Sequence, residues 1–440
     1  MKNILFLALL ISTAYSAIVR TYVDESGRLI EHHVNSYFAK GADDVMYRIT
    51  YDAEILGGNF ITSLDEVTGI DKVLCDVNDI EMIVEFHSVP EAYALYNKIK
   101  DEGYEKFLTS LKHNCSNSKT KPFVNIKEIL TVELNQNAIL IRTALGTYER
   151  LFKQASVRVD PVADSEGYEK TLCLGVNANQ DCTAAHAPLP LYKNSYIDVT
   201  CSNCFVGTKA TVFFDFKISS FKLRHIGAGF KGIAANAAFV VNMVAQGGAS
   251  GGLDRTYVVA AGVVLQFYIG PVPIVVTYQI PIRILAEAMV ELKAFGKVGA
   301  MATWQLGDAY VEWDEKTGWT KGKIEPSFKW THILDGDAAV KAEASLSIIP
   351  SLELSLLGII NAGVSLTPTI RATAEGNLKE KQVCADFFYR TAADLYASIS
   401  MNIPLIKAAN WKFGPVGLFD TGENKLGRWC INKDKQAIAH

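Results

Sequence analysis

The sequence predicts a mainly β protein, in which a small N-terminal α+β module precedes a large antiparallel β domain. Three observations favour this fold class. Apolar and polar residues alternate over long segments from Lys209 onwards, as expected of strands with one wet face. Clusters of turn-forming residues separate the apolar segments, and clear helical spacing appears only near residues 89–99. An apolar fraction of 49% with 20% charged residues is typical of a protein with a well-buried core.

The N-terminal residues have the pattern of a secretory signal peptide. Lys2 precedes an apolar run that ends at Ile11, and small residues follow up to Ser16. Such a run is too short to cross a membrane, and it is usually removed after the small residues. We therefore expect residues 1–16 to be cleaved and the mature protein to be secreted, so that it works outside the cell.

Residues 17–160 have the mixed pattern of a small α+β module. From Ile80 to Phe86 apolar residues alternate with acidic ones, as in a half-buried strand. A helix is expected next, because Ser88 and Glu91 are spaced as a capping box and apolar residues follow at helical spacing. Further strands are predicted at 47–51, 70–75, 107–115, 123–134 and 138–143, the last two joined by a turn at 135–137.

The remainder of the chain divides into a linker and the β-rich domain. Residues 161–195 are rich in turn-forming residues and have no periodicity, so we interpret them as the linker. In the domain of residues 196–440, alternation is strongest around 212–218 and recurs near 288–294 and 340–348. Many such strands predict a sandwich, an open barrel or an elongated twisted sheet.

The most apolar stretch, residues 263–285, is the one place where a membrane-spanning helix could be suspected. Pro271, Pro273 and Pro281 interrupt it. Because a proline inside a helix costs about 3 kcal/mol, this segment is expected to be a buried pair of strands interrupted by turns.

Eight cysteines in a chain with a secretion signal predict four disulfide bonds and no leftover thiol. Cysteines that lie in one segment of the chain are the favoured partners: Cys75 with Cys115, Cys173 with Cys182, Cys201 with Cys204, and Cys384 with Cys430. The spacing of Cys201 and Cys204 can also be redox-active in a βαβ context, but β-rich sequence follows this pair. We therefore interpret it as structural.

No catalytic or cofactor-binding signature interrupts the sequence. It has no Gly-x-Ser-x-Gly, no His-Glu-x-x-His and no phosphate-binding glycine loop. His32 and His33 are adjacent, but beyond Glu31 no further ligand lies at metal-binding spacing, so we interpret them as a solvated loop and expect no metal or cofactor.

A formal net charge of −4 without a basic block gives no site for nucleic acid. Asn114 begins a glycosylation motif.

Acidic and aromatic residues are concentrated between residues 304 and 319. Trp304, Trp313 and Trp319 occur there with Glu312 and other carboxylates. The favoured interpretation of this cluster is a hairpin with exposed aromatic residues. The alternative is a glycan-binding or glycan-cleaving site, because aromatic faces stack on sugars and carboxylates bind hydroxyl groups or transfer protons.

Several short segments carry a resemblance that covers most of the mature chain. They are the run from Ile70 to Cys115, the segment Ile197-Asp-Val-Thr-Cys-Ser-Asn-Cys204 with the strands that follow it, Ile269-Gly-Pro271, and Trp429-Cys430. Together they resemble a broad family of secreted fungal and protist surface proteins of unknown function. The resemblance implies secretion and an N-terminal α+β module followed by a β-rich module, and it implies no active site.

These observations predict a secreted, non-enzymatic structural or binding protein of the cell surface or extracellular matrix, with a matrix or surface glycan as its partner. The alternative is a membrane-active or lipid-binding β protein, in which glycine- and alanine-rich strands between Phe230 and Ala261 form an inserting hairpin or line an apolar cavity. Glycoside hydrolysis is the third interpretation. A glycan array and a liposome-leakage assay distinguish the three.

Overall fold

The computed structural model shows a chain built almost entirely of β-strands. The residues described are 17–42, 44–57, 60–76, 80–100, 106–110, 113, 126–146, 148–162, 168–173, 189–193, 197–245, 249–290, 294–322, 327–335, 341–356, 360–377, 382–403, 406–432 and 437–439. Within these ranges, no helix is long and apolar enough to cross a membrane.

The elements follow one another in a long series of strands with two short helices. The first half contains β1 (Ala17–Val23), β2 (Leu29–Lys40), β3 (Met46–Leu56), β4 (Ile61–Ser63), β5 (Ile70–Cys75), β6 (Glu81–Phe86), α1 (Val89–Ile99), β7 (Phe107–Thr109), β8 (Lys127–Asn135), β9 (Ala138–Leu145), α2 (Tyr148–Leu151), β10 (Phe152–Pro161), β11 (Tyr168–Cys173), β12 (Leu189–Lys193) and β13 (Ile197–Ser219). The second half contains β14 (Lys222–Ala245), β15 (Ala249–Ile269), β16 (Val272–Val290), β17 (Ala294–Asp314), β18 (Gly318–Lys321), β19 (Ser327–Asp335), β20 (Lys341–Leu356), β21 (Ile360–Asn377), β22 (Gln382–Ile403), β23 (Ile406–Asp420), β24 (Asn424–Asn432) and β25 (Ala437–Ala439).

The large sheet contains eleven of the described strands, in the order β1-β2-β3-β10-β13-β14-β17-β18. β11 and β12 also pair with β13, and β19 also pairs with β17. The alternation that predicted β13 is confirmed, because Val212, Phe214, Phe216 and Ile218 are all buried and Lys217 between them is exposed. One face of this sheet is therefore apolar and packed, and the other is polar.

The facing sheet contains eight of the described strands, in the order β15-β16-β20-β21-β22-β24-β25, with β23 also paired to β22. β15 and β16 form a hairpin whose closing pair is Ile269 and Val272. The predicted buried pair of strands at 263–285 is thus confirmed. Pro281 lies opposite Val258, beside a shift in the strand register, where an absent backbone N–H donor disturbs the ladder least.

The two large sheets pack face to face across one hydrophobic core. Phe214 and Phe216 of the large sheet belong to the same buried cluster as Ile274, Val364 and Leu395 of the facing sheet. Burying one such side chain contributes about 1.5–3 kcal/mol, so this shared core is the main force that joins the sheets. The structure confirms the predicted β-rich domain, with large antiparallel sheets and one sheet curled into a half-barrel.

The small sheet has six described strands in the order β4-β7-β8-β9-β6-β5. Helix α1 covers one face of it with Ala92, Leu95 and Ile99, which are buried in a hydrophobic core separate from the core that the two large sheets share. The predicted helix is therefore confirmed. The predicted capping box has a different bonding pattern, because the Ser88 hydroxyl donates to the Glu91 carboxylate at 2.9 Å and makes no bond to the helix backbone.

The large sheet continues across the predicted boundary at residue 160. In β10, Val157 pairs with Tyr51 of β3 on one side and with Phe216 of β13 on the other. The small sheet and α1 lie between β3 and β10 in the chain, and β11 and β12, within the predicted linker, are paired with β13. The division into domains at 160 and 195 stays a prediction, but strand pairing joins the segments on either side.

Some predicted strands and connections are wrong in detail. The strand expected at 288–294 is two strands in different sheets, because β16 ends at Val290 and β17 begins at Ala294. Alternation that resumes after a turn gives no sign of the turn itself. The strand expected at 107–115 ends at Thr109. The hairpin expected between Phe230 and Ala261 is not formed, because β14 pairs with β13 and β17 whereas β15 pairs with β16.

Hydrogen bonds from the N-terminal half anchor the tip of the β15–β16 hairpin. The Thr109 hydroxyl donates to the Pro271 carbonyl at 2.8 Å, and the Tyr148 phenol donates to the Pro273 carbonyl at 2.8 Å. Burial raises the pKa of Tyr148 well above its ordinary value, which keeps the phenol protonated as a donor. The two carbonyls at the tip therefore have partners away from water.

A carboxylate and a glycine complete this contact. Asp65 accepts hydrogen bonds from the Tyr268 phenol and from the Ser110 hydroxyl, the latter at 2.6 Å. Gly270 has φ +57, and a Cβ there would collide with the end of Ile55 and lie 3.0 Å from His33 Nε2. Only glycine therefore fits both the backbone conformation and the space at the hairpin tip.

Candidate functional site

The aromatic and acidic residues expected to act together between 304 and 319 lie on opposite faces of their strands. Trp304 is 0% exposed in the shared core. Trp313 pairs with Trp319 across β17 and β18, and both rings pack against that same core. Glu312 lies on the other face, because neighbouring strand residues alternate in direction. A fully buried indole offers no ring face to a sugar, so Trp304 does not belong to a surface site.

The other carboxylates of this region make local contacts. Asp308 accepts a hydrogen bond from the Gly232 backbone at 2.9 Å, where β14 and β17 shift register. Asp314 accepts one from the Lys316 backbone at 2.9 Å, within the turn between β17 and β18. Glu315 pairs with Arg224. These contacts hold a bulge and a turn, as expected of a hairpin, but the tryptophans of this segment are buried or half-buried rather than exposed.

The outward side chains of four central strands of the large sheet form a continuous polar surface, which we name the outer platform. Their inward neighbours are buried in the shared core. The outer platform consists of Arg158 and Asp160 from β10, Phe213, Asp215 and Lys217 from β13, His225 and Lys231 from β14, and Tyr310, Glu312 and Asp314 from β17.

Strand register aligns two carboxylates of the outer platform, those of Asp215 and Glu312, in one row. Arg158 is opposite Asp215, Asp215 is opposite Gly227, and Gly227 is opposite Glu312. A Cβ at Gly227 would collide with Asp215 Oδ1 and lie 3.4 Å from Glu312 Cγ. The glycine therefore lets two carboxylates from non-adjacent strands approach each other over the backbone of the strand between them.

The neighbouring row brings two aromatic rings together in the same way. Phe213 and Tyr310 are both opposite Gly229, and their ring centroids are 5.9 Å apart in a T-shaped arrangement. A Cβ at Gly229 would lie 2.5 Å from Tyr310 Cβ, so a larger residue would push β14 and β17 apart. Both rings are half-buried. They are fixed in place, and each retains an exposed part.

Several polar groups of the outer platform lie beside a group of opposite charge or beside a histidine. Asp160 accepts hydrogen bonds from Arg158 and, at 3.2 Å, from Lys231. Burial raises the pKa of Asp160, but these hydrogen bonds outweigh it and hold the pKa below its ordinary value. His225 lies between Asp215 at 3.4 Å and Asp314 at 3.9 Å. Fixed, paired groups of both signs can hydrogen-bond a polar ligand without creating a strong net field.

The adjacent histidines are not in a solvated loop, and that prediction is wrong. Both lie in β2, where the pairing with β1 and β3 makes them part of the large sheet. His32 Nε2 is 2.7 Å from Asp52 Oδ1. His33 is buried, with Nε2 3.3 Å from Glu31 Oε2. The described ranges contain no group of three or more His, Cys, Asp or Glu side chains that could hold a metal ion.

The predicted disulfide between Cys384 and Cys430 is confirmed, and it joins directly opposed residues of β22 and β24. Cys75 is disulfide-bonded too, but its predicted partner Cys115 lies outside the described residues. Cys182 and the glycosylation candidate Asn114 also lie outside them. Cys173 lies in β11, and Cys201 and Cys204 lie in β13, which shifts register between Cys201 and Asn203. The Cys-x-x-Cys segment is thus in a long antiparallel strand rather than in a βαβ unit.

The outer platform contains residues that sequence reasoning did not assign to a site, chiefly Asp215, His225, Phe213 and Arg158. Their signal was weak, because they come from three strands, of which β10 is separated in the chain from the consecutive strands β13 and β14. Gly227 and Gly229 were the available sign, since two glycines at alternate positions of a strand indicate close approach of neighbouring strands or side chains.

Comparison with known proteins adds no assignment: no protein-family model, no curated protein and no solved structure matches this chain.

Proposed function

We propose that the protein is a secreted, non-enzymatic structural or binding protein of the cell surface or extracellular matrix. The observation that carries this proposal is the outer platform, in which aromatic rings and paired charges are fixed on the rigid strands of one sheet. Such a surface is pre-organised, so a partner binds it with little loss of side-chain freedom. Asp160 is paired with Arg158 and Lys231, and His225 lies 3.4 Å from Asp215, an arrangement that suits recognition by hydrogen bonding.

Disulfide bonding supports the extracellular part of the proposal. The cross-strand bond between Cys384 and Cys430 and the oxidised state of Cys75 suit a compartment in which disulfides persist. Together with the N-terminal signal pattern, they favour secretion.

Strand length supports a structural role. β14 has 24 residues and β13 has 23, and at about 3.3 Å per residue such strands extend for roughly 80 Å. Sheets made from strands of this length offer a long paired surface to a matrix.

The membrane-active or lipid-binding alternative assigned the strands between Phe230 and Ala261 either to an inserting hairpin or to the lining of an apolar cavity. The hairpin is not formed, because β14 and β15 belong to different sheets. Around Phe216, Ile274 and Val364 the space between the two large sheets is filled by packed side chains, and the cavity form of the alternative stays a prediction.

A sedimentation assay tests the proposal. The mature protein is mixed with insoluble matrix or cell-wall material from the cells that produce it, and a denatured, alkylated sample serves as the control. We expect the folded protein to sediment with the matrix, to release no soluble carbohydrate and to leave liposomes intact. Retention equal to that of the denatured control, carbohydrate release or liposome leakage would each contradict the proposal.

A further inference from the structure

The chemistry of the outer platform limits the class of ligand that it can bind. Four carboxylates, from Asp160, Asp215, Glu312 and Asp314, lie among the cations of Arg158, Lys217 and Lys231, with His225 between two of the acids. The surface is therefore close to neutral overall. A polyanion would meet the carboxylates and a polycation would meet the cations, so neither has a charge advantage here.

The aromatic row adds an apolar contact surface at the same place. Tyr310 is half-buried and stays partly exposed, and its ring is held from below by Gly322, where a Cβ would collide with the ring. Phe213 supports the Tyr310 ring from the side at a centroid distance of 5.9 Å. Lys231 Nζ lies 5.1 Å from the centroid of the Phe213 ring, which fixes that ring in turn.

These two rows match the two surfaces of a sugar ring. A pyranose has an apolar face of C–H groups, which packs on an aromatic ring, and a rim of hydroxyl groups, which bind carboxylates and guanidinium groups. On the outer platform the ring of Tyr310 and the carboxylate of Glu312 come from alternate residues of one strand, about 7 Å apart along it. One sugar unit can therefore contact both.

We infer that the outer platform is a binding site for an uncharged glycan chain, with Tyr310 and Phe213 as the aromatic contacts and with Asp215, Glu312 and Arg158 as the groups that bind hydroxyls. This inference rests on the proposed function and specifies its ligand. The aromatic contacts of this site are therefore on the opposite face of the sheet from the tryptophans of the 304–319 segment.

Leucine substitutions test the site because they keep apolar volume and remove the ring. Affinity is measured by isothermal titration calorimetry for Tyr310→Leu and Phe213→Leu, with cellohexaose, laminarihexaose and chitohexaose as neutral probes and polygalacturonate as the polyanion. Tyr93→Leu, at an exposed tyrosine on α1, is the matched control. We expect at least one neutral probe to bind the parent, and each platform variant to bind it about tenfold more weakly. The Tyr93 variant should bind like the parent.

Hydrogen exchange on the unchanged protein keeps the test decisive if a variant fails to fold. The bound neutral probe should slow exchange in residues 211–217 and 308–314, and not in α1. The inference is overturned if both folded leucine variants bind the probe with the affinity of the parent. It is also overturned if the bound probe slows exchange in other residues of the parent instead. Tighter binding of the parent to polygalacturonate than to the neutral probes also overturns the inference. So does retention of the parent on matrix when it binds none of the neutral probes. Failure to sediment with matrix overturns the proposed function itself, which separates the two failures.

Discussion

Asp420 illustrates how a single exposed carboxylate contributes to stability. Hydrogen bonds from the Arg390 guanidinium, with Nε at 3.0 Å, and from the Gly422 backbone at 2.9 Å lower the pKa of Asp420 from its ordinary 3.8 to about 2. A carboxyl group with a depressed folded-state pKa stabilises the fold above its unfolded pKa, and this contribution is lost as the pH falls towards the folded value.

Asp420→Asn should therefore destabilise the protein at pH 6, by up to about 1 kcal/mol because the ion pair is exposed. The difference from the parent should shrink between about pH 4 and pH 2. Urea unfolding at a series of pH values measures it, with Glu25→Gln, at an exposed carboxyl, as the control. A difference that does not change with pH would show that the ion pair is not its source.

Asp65 offers a second test at this scale, because it accepts hydrogen bonds from Tyr268 and Ser110 at the anchored hairpin tip. Asp65→Asn replaces one carboxylate oxygen by an amide donor, which opposes one of these hydroxyl donors. We expect a loss of about 1–3 kcal/mol in the free energy of unfolding. Glu66→Gln changes the exposed neighbour and should have little effect. Equal stability of the two variants would contradict the proposed anchoring role.

At the residue scale, sequence patterns showed orientation better than proximity. Alternation correctly placed Phe214 and Phe216 on the buried face. The same rule applied to 304–319 separates Trp313 from Glu312, yet their closeness in sequence made them look like one site. Asp215 and Glu312 approach each other through β14, and no local pattern reveals a contact that depends on which strands are neighbours.

At the scale of elements, β15 is a long strand at the edge of the facing sheet. Within the part of the chain that the structure describes, its ladder partner is β16, and the backbone N–H of Ala42 bonds the Val264 carbonyl at 2.9 Å. Edge strands expose backbone groups that can pair with another molecule, and charged side chains oppose such pairing. Asp254, paired with Arg283 at 2.6 Å, and the exposed Arg255 lie in the middle of this edge.

Arg255→Val should therefore increase self-association, because it removes a charge and adds β-propensity at the edge. Light scattering over a concentration series measures this effect. Arg255→Lys keeps the charge and should behave like the parent. If the valine variant shows the same apparent mass as the lysine variant at every concentration, Arg255 does not protect the edge.

Elements with strong periodicity were predictable, and the connections between them were not. The hairpin at 263–285 and helix α1 were recognisable because proline positions and helical spacing are local signals. The passage of the chain from β14 in one sheet to β15 in the other, and from β16 back to β17, depends on long-range packing. Glycine- and alanine-rich sequence is compatible with either sheet, so the local pattern favoured a hairpin that does not exist.

At the scale of the whole molecule, oxidation is expected to be complete. Denatured, unreduced mature protein should contain no titratable thiol, and reduction should release eight. Two or more reactive thiols before reduction would contradict the four predicted disulfides.

Replacing both Cys384 and Cys430, which close a loop with a sequence separation of 46, by serine should lower the free energy of unfolding by about 2–4 kcal/mol, as measured by urea unfolding.

We propose that the outer platform binds its partner and does not cut it. The most direct measurement counts the reducing ends released while the parent protein is incubated with the neutral glycan that it binds. We expect saturable binding and no release above that of the glycan alone, because the proposed role of the platform's carboxylates is to bind hydroxyl groups. Slow release by the parent that disappears in Glu312→Gln would contradict the claim and would make Glu312 the acid or base of a hydrolase.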